Sequence, residues 1–183
     1  AAADPDARFA VRPYPARLAA IVTAKDGVSY RLRPLRAEDE PGLAQFGQRM
    51  TPDDLRLRFF QPMRALSHEL AARLTQIDYD REMAFGLFPA DGDAMLAVVR
   101  LHREPRGDSG EFAITVRSDM QGHGFGRLMM ERILDYARAQ KIKTVFGLVL
   151  AENSGMLRLA RSLGFSARSE PGDATVVRVE IAL

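Results

Sequence analysis

Hydrophobic periodicity changes several times along the chain and divides it into elements. Tyr30-Arg31-Leu32-Arg33 alternates apolar and polar positions, the pattern of a strand with one buried face, and Pro34 stops it. Residues 37–50 carry Glu38, Asp39 and Glu40 early, with Pro41 inside the first turn; acid and proline at that end predict a helix start. Thr51-Pro52-Asp53-Asp54 predicts the cap of a second, short helix through Phe59-Phe60. Ser67 predicts the cap of a third, with Leu70, Leu74 and Ile77 along one face. The period then shortens to two. Residues 83–88 and 95–101 read as strands joined by a hairpin turn from Pro89 to Asp93, and residues 111–116 as a further strand. Leu128, Met129, Ile133, Leu134 and Ala137 mark a long helix ending near Gln140, with Met129 and Met130 in the core. Residues 144–150 read as a strand, Asn153 starts a helix through Leu163, and residues 175–183 form a final strand. This order predicts an α/β (α+β) fold, a mixed central sheet with helices on both faces.

Ahead of the first strand the pattern is lost. Pro5, Pro13 and Pro15 punctuate residues 1–28, Arg12-Pro13-Tyr14-Pro15 reads as extended chain, and Lys25-Asp26-Gly27 as a turn. We expect a linker over 1–28 and one domain over 29–183, which suits a chain of 183 residues. The chain begins without methionine and reads as processed or cut from something longer.

Composition narrows the chemistry. There is no cysteine, which excludes disulfides, thiolate metal sites and a cysteine acyl-enzyme. His68, His102 and His123 share no metal-ligand spacing, so no metal is expected. No apolar run approaches the ~18 residues of a membrane span. The first residues, Ala-Ala-Ala-Asp-Pro-Asp, lack a basic region before an apolar stretch, so no signal peptide is read and a cytoplasmic setting is expected. Net charge is only +2, and the arginines are scattered. Nucleic-acid binding would need a basic stripe interleaved with aromatics, so no such partner is expected.

The densest signal joins the strand over 111–116 to the long helix: Gln121-Gly122-His123-Gly124-Phe125-Gly126-Arg127. Three glycines in one turn strip it of side chains. Backbone N–H groups at a helix N-terminus then face outward with the helix dipole behind them, a site suited to a diphosphate. Glycine also costs a helix about 1 kcal/mol relative to alanine, which argues that the loop has a use. The Gly-x-Gly-x-Gly spacing is neither a dinucleotide fingerprint nor a P-loop. Spacing alone leaves a ligand-free tight turn open.

Gln121-Gly122-His123-Gly124-Phe125-Gly126 resembles the Gln/Arg-x-x-Gly-x-Gly/Ala signature of the GCN5-related N-acetyltransferases (GNAT). Asn153-x-x-Met156, with Ala160 and Leu163-Gly164-Phe165, resembles that family's second motif, and the element order resembles its fold over residues 29–183. The resemblance implies a mostly antiparallel sheet and acetyl-CoA as cosubstrate. It implies that Gln121, Gly122, His123, Gly124, Phe125, Gly126 and Arg127 hold the diphosphate, that backbone groups of Ile114, Thr115 and Val116 hold the pantetheine arm, and that Asn153 contacts the cosubstrate. Asn153 can equally be only a helix cap. Leu57-Arg58-Phe59-Phe60, Leu66-Ser67-His68-Glu69 and residues 75–84 resemble bacterial protein lysine acetyltransferases, and Arg12-Pro13-Tyr14-Pro15 resembles the joint to a fused acyl-CoA synthetase-like module. The implied partner is a protein lysine, with acyl-CoA synthetases as targets. Small-amine acetylation and a non-catalytic acyl-CoA-sensing role are the competing readings.

A lysine amine with a pKa near 10.4 needs a base at neutral pH. Glu111 is the only carboxylate within its strand, and the resemblance implies a glutamate base at this place. Asp78, Asp80 and Glu82 form an acidic cluster that could steer a basic peptide or simply be a solvated turn. Ala160 stands where many relatives carry a tyrosine acid.

Overall fold

Eight strands form one sheet in the order β1-β2-β3-β4-β5-β6-β8-β7 in the computed structural model, which describes residues 12–183. They are β1 (Ala20–Thr23), β2 (Ser29–Pro34), β3 (Glu82–Pro89), β4 (Ala97–Arg103), β5 (Ser109–Val116), β6 (Thr144–Leu150), β7 (Ser166–Glu170) and β8 (Asp173–Ala182). Every neighbouring pair is antiparallel except β5 and β6. The helices are α1 (Glu40–Gln48), α2 (Pro52–Phe59), α3 (His68–Thr75), α4 (Phe125–Ala139) and α5 (Ser154–Ser162).

The central strands are covered on both faces, so β3 reads as a continuous apolar run. Its side chains alternate between two cores. Met83, Phe85 and Leu87 join α4 and α5 through Met129, Met130, Ile133 and Leu157. Ala84 and Phe88 join α1 and α2 through Leu43, Phe46 and Leu55. The period of two thus decides which helix layer each β3 residue meets. The caps follow the sequence: Thr51 accepts from Asp54 N–H, Ser67 from Leu70 N–H and Asn153 from Met156 N–H, each at 3.1 Å. The expected first helix begins as a single 3-10 turn (Ala37–Asp39) before α1.

Two strands escape the periodicity. β7 has the sequence Ser-Ala-Arg-Ser-Glu, almost wholly exposed at the sheet edge, so it has no apolar face to announce it. β1 lies inside the expected linker. Part of that segment is instead folded against the domain: Pro15 is buried, the Tyr14 hydroxyl donates to Pro34 O at 2.9 Å, and Arg132 donates to Leu18 O at 2.7 Å. β1 then pairs with β2 from Ala20↔Leu32 to Thr23↔Ser29. Residues 1–11 of the expected linker lie outside the described residues. Among the described residues, no helix is long and apolar enough to cross a membrane.

One irregularity shapes the molecule. β5 pairs with β6 only over Ser109–Glu111 against Thr144–Phe146. β5 then continues to Val116 against β4 alone, and β6 to Leu150 against β8. The two strands splay apart after Glu111, and β5 keeps a free backbone edge from Phe112 to Val116.

Candidate active site

A cavity of about 940 Å³ fills the splay. One wall is the free edge of β5, one is the glycine loop at the start of α4, one is α2, and the last is β6 with the start of α5. The glycine loop is built as an anion cradle. Gly122 and Gly124 have φ of +83° and +82°, a backbone region that L side chains rarely adopt. Gly124 is the N-cap of α4 and offers no side chain to its first N–H groups. Those donors stay available to a ligand, with the dipole of a 15-residue helix behind them. Gly126 has a different reason to be glycine, since a β-carbon there would meet Leu159 Cδ2 at 3.1 Å.

The base of the loop is tied to α2. Asp54 accepts from Ser118 Oγ at 2.5 Å and from Gln121 Nε2 at 3.1 Å. Arg127 lines the cavity while pairing with Glu131 at 3.1 Å and donating to Ser162 Oγ at 3.0 Å. Glu111, Ile114, Thr115, Val116, Gln121, Gly122, Gly124, Phe125, Gly126, Arg127 and Asn153 all line this one cavity. His123 does not: its ring stacks on Phe125 at 5.6 Å, and Nδ1 lies 3.1 Å from Met120 O. Asn153 spends its side-chain oxygen on the α5 cap.

Glu111 sits at the apex of the splay, in the last β5 register pair with β6, opposite Phe146. It is half-buried, and its pKa is raised, chiefly by burial and then by the charge of Glu104. His102, its β4 partner, opposes the rise, as do Arg58 and Arg178. Arg58 was not expected as a site residue beyond its motif. It extends, partly buried, from α2 into the cavity wall. Burial first, then repulsion from Arg100, pushes its pKa down to about 10, against the pull of Glu111. Among the described residues Arg58 has no carboxylate within ion-pair reach, whereas Arg100 donates to Leu74 O at 2.7 Å. Sequence reasoning could not find this influence of Arg58 on Glu111, because the two residues are more than 50 positions apart. Beside Asp54 and Arg58, α2 and its C-cap contribute the apolar Leu57, Phe59 and Phe60 to the lining, and β6 contributes Leu148; Phe60 holds a left-handed φ of 62°.

The acidic cluster lies elsewhere. Asp80 pairs with Arg12 at 2.7 Å, Asp78 with Arg81 at 3.9 Å and Glu82 with His102 at 3.8 Å, and none of the three lines the cavity. Ala160 is fully buried in the core, and no tyrosine lines the cavity among the described residues. Among the described residues, no group of three or more acidic or histidine side chains is placed to hold a metal.

Comparison with known proteins places the fold in a family. The family profile described as "Acetyltransferase (GNAT) domain" matches residues 30–166. An acetyltransferase of Pseudomonas aeruginosa is 32% identical over 160 residues, covering 86% of each chain. The crystal structure of the GNAT domain of S. lividans PAT superposes with a TM-score of 0.85 at 28% identity, over 93% of this chain and 100% of that one. RimL, a ribosomal L7/L12 α-N-protein acetyltransferase solved with coenzyme A, shares the fold with a TM-score of 0.72 at 16% identity, over 90% of this chain and 98% of that one.

Proposed function

The chain belongs to the GNAT acetyltransferase family, and we propose that it transfers acetyl from acetyl-CoA directly to the ε-amine of a protein lysine, with acyl-CoA synthetases as the target class. The observation that carries the reading is the splay after Glu111, a free strand edge leading to an uncapped helix N-terminus inside one cavity. The outward N–H and C=O groups of Ile114 and Val116, on either side of Thr115, suit the amides of a pantetheine arm, which would add to β5 as a further strand. The loop amides from Gln121 to Arg127 suit the diphosphate. Bound there, the cosubstrate would supply an activated thioester to the acceptor.

Glu111 is the general base in this reading. Its raised pKa makes it a better proton acceptor than an exposed glutamate, and the incoming ammonium must lose a proton before its nitrogen can attack. The apolar mouth of Leu57, Phe59, Phe60 and Leu148 suits the four-carbon stem of a lysine, whose charged end would reach inward to Glu111. A thiol with an ordinary pKa near 8.5 leaves readily as thiolate, so a buried Ala160 in place of an acid is tolerable.

The test is thiol release from acetyl-CoA by the purified protein with three acceptors: a lysine peptide from an acyl-CoA synthetase, spermidine, and a peptide with a free α-amine and blocked lysines. Turnover with the lysine peptide above the other two is expected. Preference for spermidine would make it a small-amine enzyme, preference for the α-amine an N-terminal one, and binding without turnover a sensor.

A further inference from the structure

The β1–β2 hairpin, which the sequence presents as linker, lays Lys25 on the glycine loop. A β-carbon on Gly124 would meet Lys25 Cδ, Cγ and Cε at 3.1, 3.3 and 3.4 Å, so the lysine stem rests on bare loop backbone. Lys25 lines the same cavity as Gly122, Gly124 and Gly126. The sheet brings the two together. Val116 at the exit of β5 pairs with Ala97 at the start of β4, Ala97 pairs with Leu87 near the end of β3, and Pro89 at that end pairs with Tyr30 near the start of β2. The hairpin turn before β2 therefore overhangs the loop that follows β5.

The hairpin is also fixed there. Gly27 N–H donates to Ala24 O at 2.9 Å, and Asp26 Oδ1 accepts from Val28 N–H at 2.9 Å. Asp26 Oδ2 accepts from the Tyr30 hydroxyl at 3.3 Å, and the Tyr30 ring meets Phe125, the first residue of α4, edge-on at 4.9 Å. The neighbouring carboxylate is thus engaged by the hairpin itself. Among the described residues Lys143 pairs with Asp108 at 3.5 Å, whereas Lys25 has no carboxylate within ion-pair reach. Among the described residues this cation has no carboxylate partner, and it lies beside a row of backbone donors at the start of α4; both favour the same ligand charge.

We propose that Lys25 is a diphosphate-binding residue, its ammonium closing over the phosphates on the side away from the loop amides. This rests on the acetyl-CoA reading above and adds a contact from the N-terminal hairpin to it.

The experiment is calorimetric titration of wild type, Lys25→Met and Lys25→Arg with coenzyme A, 3′-dephospho-coenzyme A and phosphate-free pantetheine, with melting temperatures as the folding check. Lys25→Met should lose about tenfold in affinity for both phosphorylated ligands, the size of one charge-assisted hydrogen bond in a partly open site. Lys25→Arg should retain most of the affinity, and pantetheine should bind wild type and Lys25→Met alike. Equal binding of coenzyme A by wild type and a folded Lys25→Met variant would overturn the proposal and leave the functional reading standing. A loss confined to coenzyme A would overturn it too, moving the contact to the 3′-phosphate. Failure of the wild type to bind coenzyme A would instead overturn the functional reading beneath it.

Discussion

Phe112 lays its ring on Gly147, the β6 residue next to the last one paired with β5; a β-carbon on Gly147 would meet Phe112 Cε1 and Cζ at 2.5 and 2.7 Å. The ring covers the face of β6 just past the last residue paired with β5, and it meets Phe165 edge-on at 5.5 Å. One large and one absent side chain thus pack together where the splay that opens the cavity begins. Gly147→Val should force Phe112 out of this contact and cost about 1–3 kcal/mol, the usual range for overfilling a packed core. Because Phe112 adjoins Glu111, turnover should fall further than stability alone accounts for. Unfolding curves and kcat on the folded fraction would check both, and unchanged kcat would separate the splay from the chemistry.

Gly126 faces Leu159 across the α4–α5 contact and lines the cavity on its other side. Gly126→Glu should fold, because Leu159 Cδ2 is the far end of a flexible side chain and a carboxylate in the first helical turn suits the dipole. Its charge would occupy the diphosphate cradle. The expected loss is about a hundredfold or more in acetyl-CoA affinity, or ~2.8 kcal/mol. An unchanged dissociation constant in a folded variant would remove the loop from the donor site.

Asp39 and Arg33 form a bidentate pair at 2.7 and 2.8 Å, with side chains only 10% and 17% exposed. Burial pushes the Asp39 pKa up, but hydrogen bonds from Arg33 and Arg36 N–H together with the charge of Arg33 outweigh it, and the net shift is down. A depressed folded pKa means the pair stabilises the fold above the ordinary carboxylate range and loses that contribution as pH falls through the lowered value. Asp39→Ala leaves a largely buried guanidinium without its carboxylate and should cost about 3 kcal/mol near neutral pH. In urea melts the gap from wild type should narrow as pH drops below about 4.

Much of the molecule was legible because it is local. Thr51, Ser67 and Asn153 cap helices through bonds spanning three residues, and the alternation in β3 needs only its own sequence. The glycine loop declared itself by composition. The rest depends on contacts distant in sequence. β7 has no apolar face, and β1 is four residues long with Ile21 turned to solvent, so neither carries a period. Arg58 and Lys25 look like surface cations in the sequence and reach the cavity only through helix and hairpin packing. His123 shows the converse, a residue inside the motif whose ring turns back on Phe125.

Arg58 holds down the pKa of Glu111 from across the cavity. Arg58→Met keeps most of the stem and removes the charge. Glu111 should then hold its proton to higher pH, so the acid limb of kcat/KM should move toward neutrality while the variant remains active at higher pH. A uniform loss at every pH would mean that Arg58 contacts the acceptor and does not act through Glu111. An unmoved profile with full activity would make it a packing residue.

Glu111→Gln removes the proton acceptor and keeps the shape. A positioned base contributes about 10²–10⁴-fold, so kcat should fall on that scale with acetyl-CoA affinity unchanged. The deficit should shrink as pH approaches the amine's own pKa, where the acceptor arrives neutral. Stability should move the other way. The folded pKa of Glu111 is raised, chiefly by burial, so its contribution to folding is fully present below the ordinary glutamate pKa and lost as pH rises through the raised value. At neutral pH the fold carries an ionised, half-buried carboxylate that it would be more stable without. Glu111→Gln should therefore melt higher than wild type near pH 7.5, with the advantage vanishing below about pH 4. Paired pH series of melting temperature and turnover would check both halves. A variant that melts lower and turns over normally would place Glu111 among the structural residues of β5 and leave the transfer without its base.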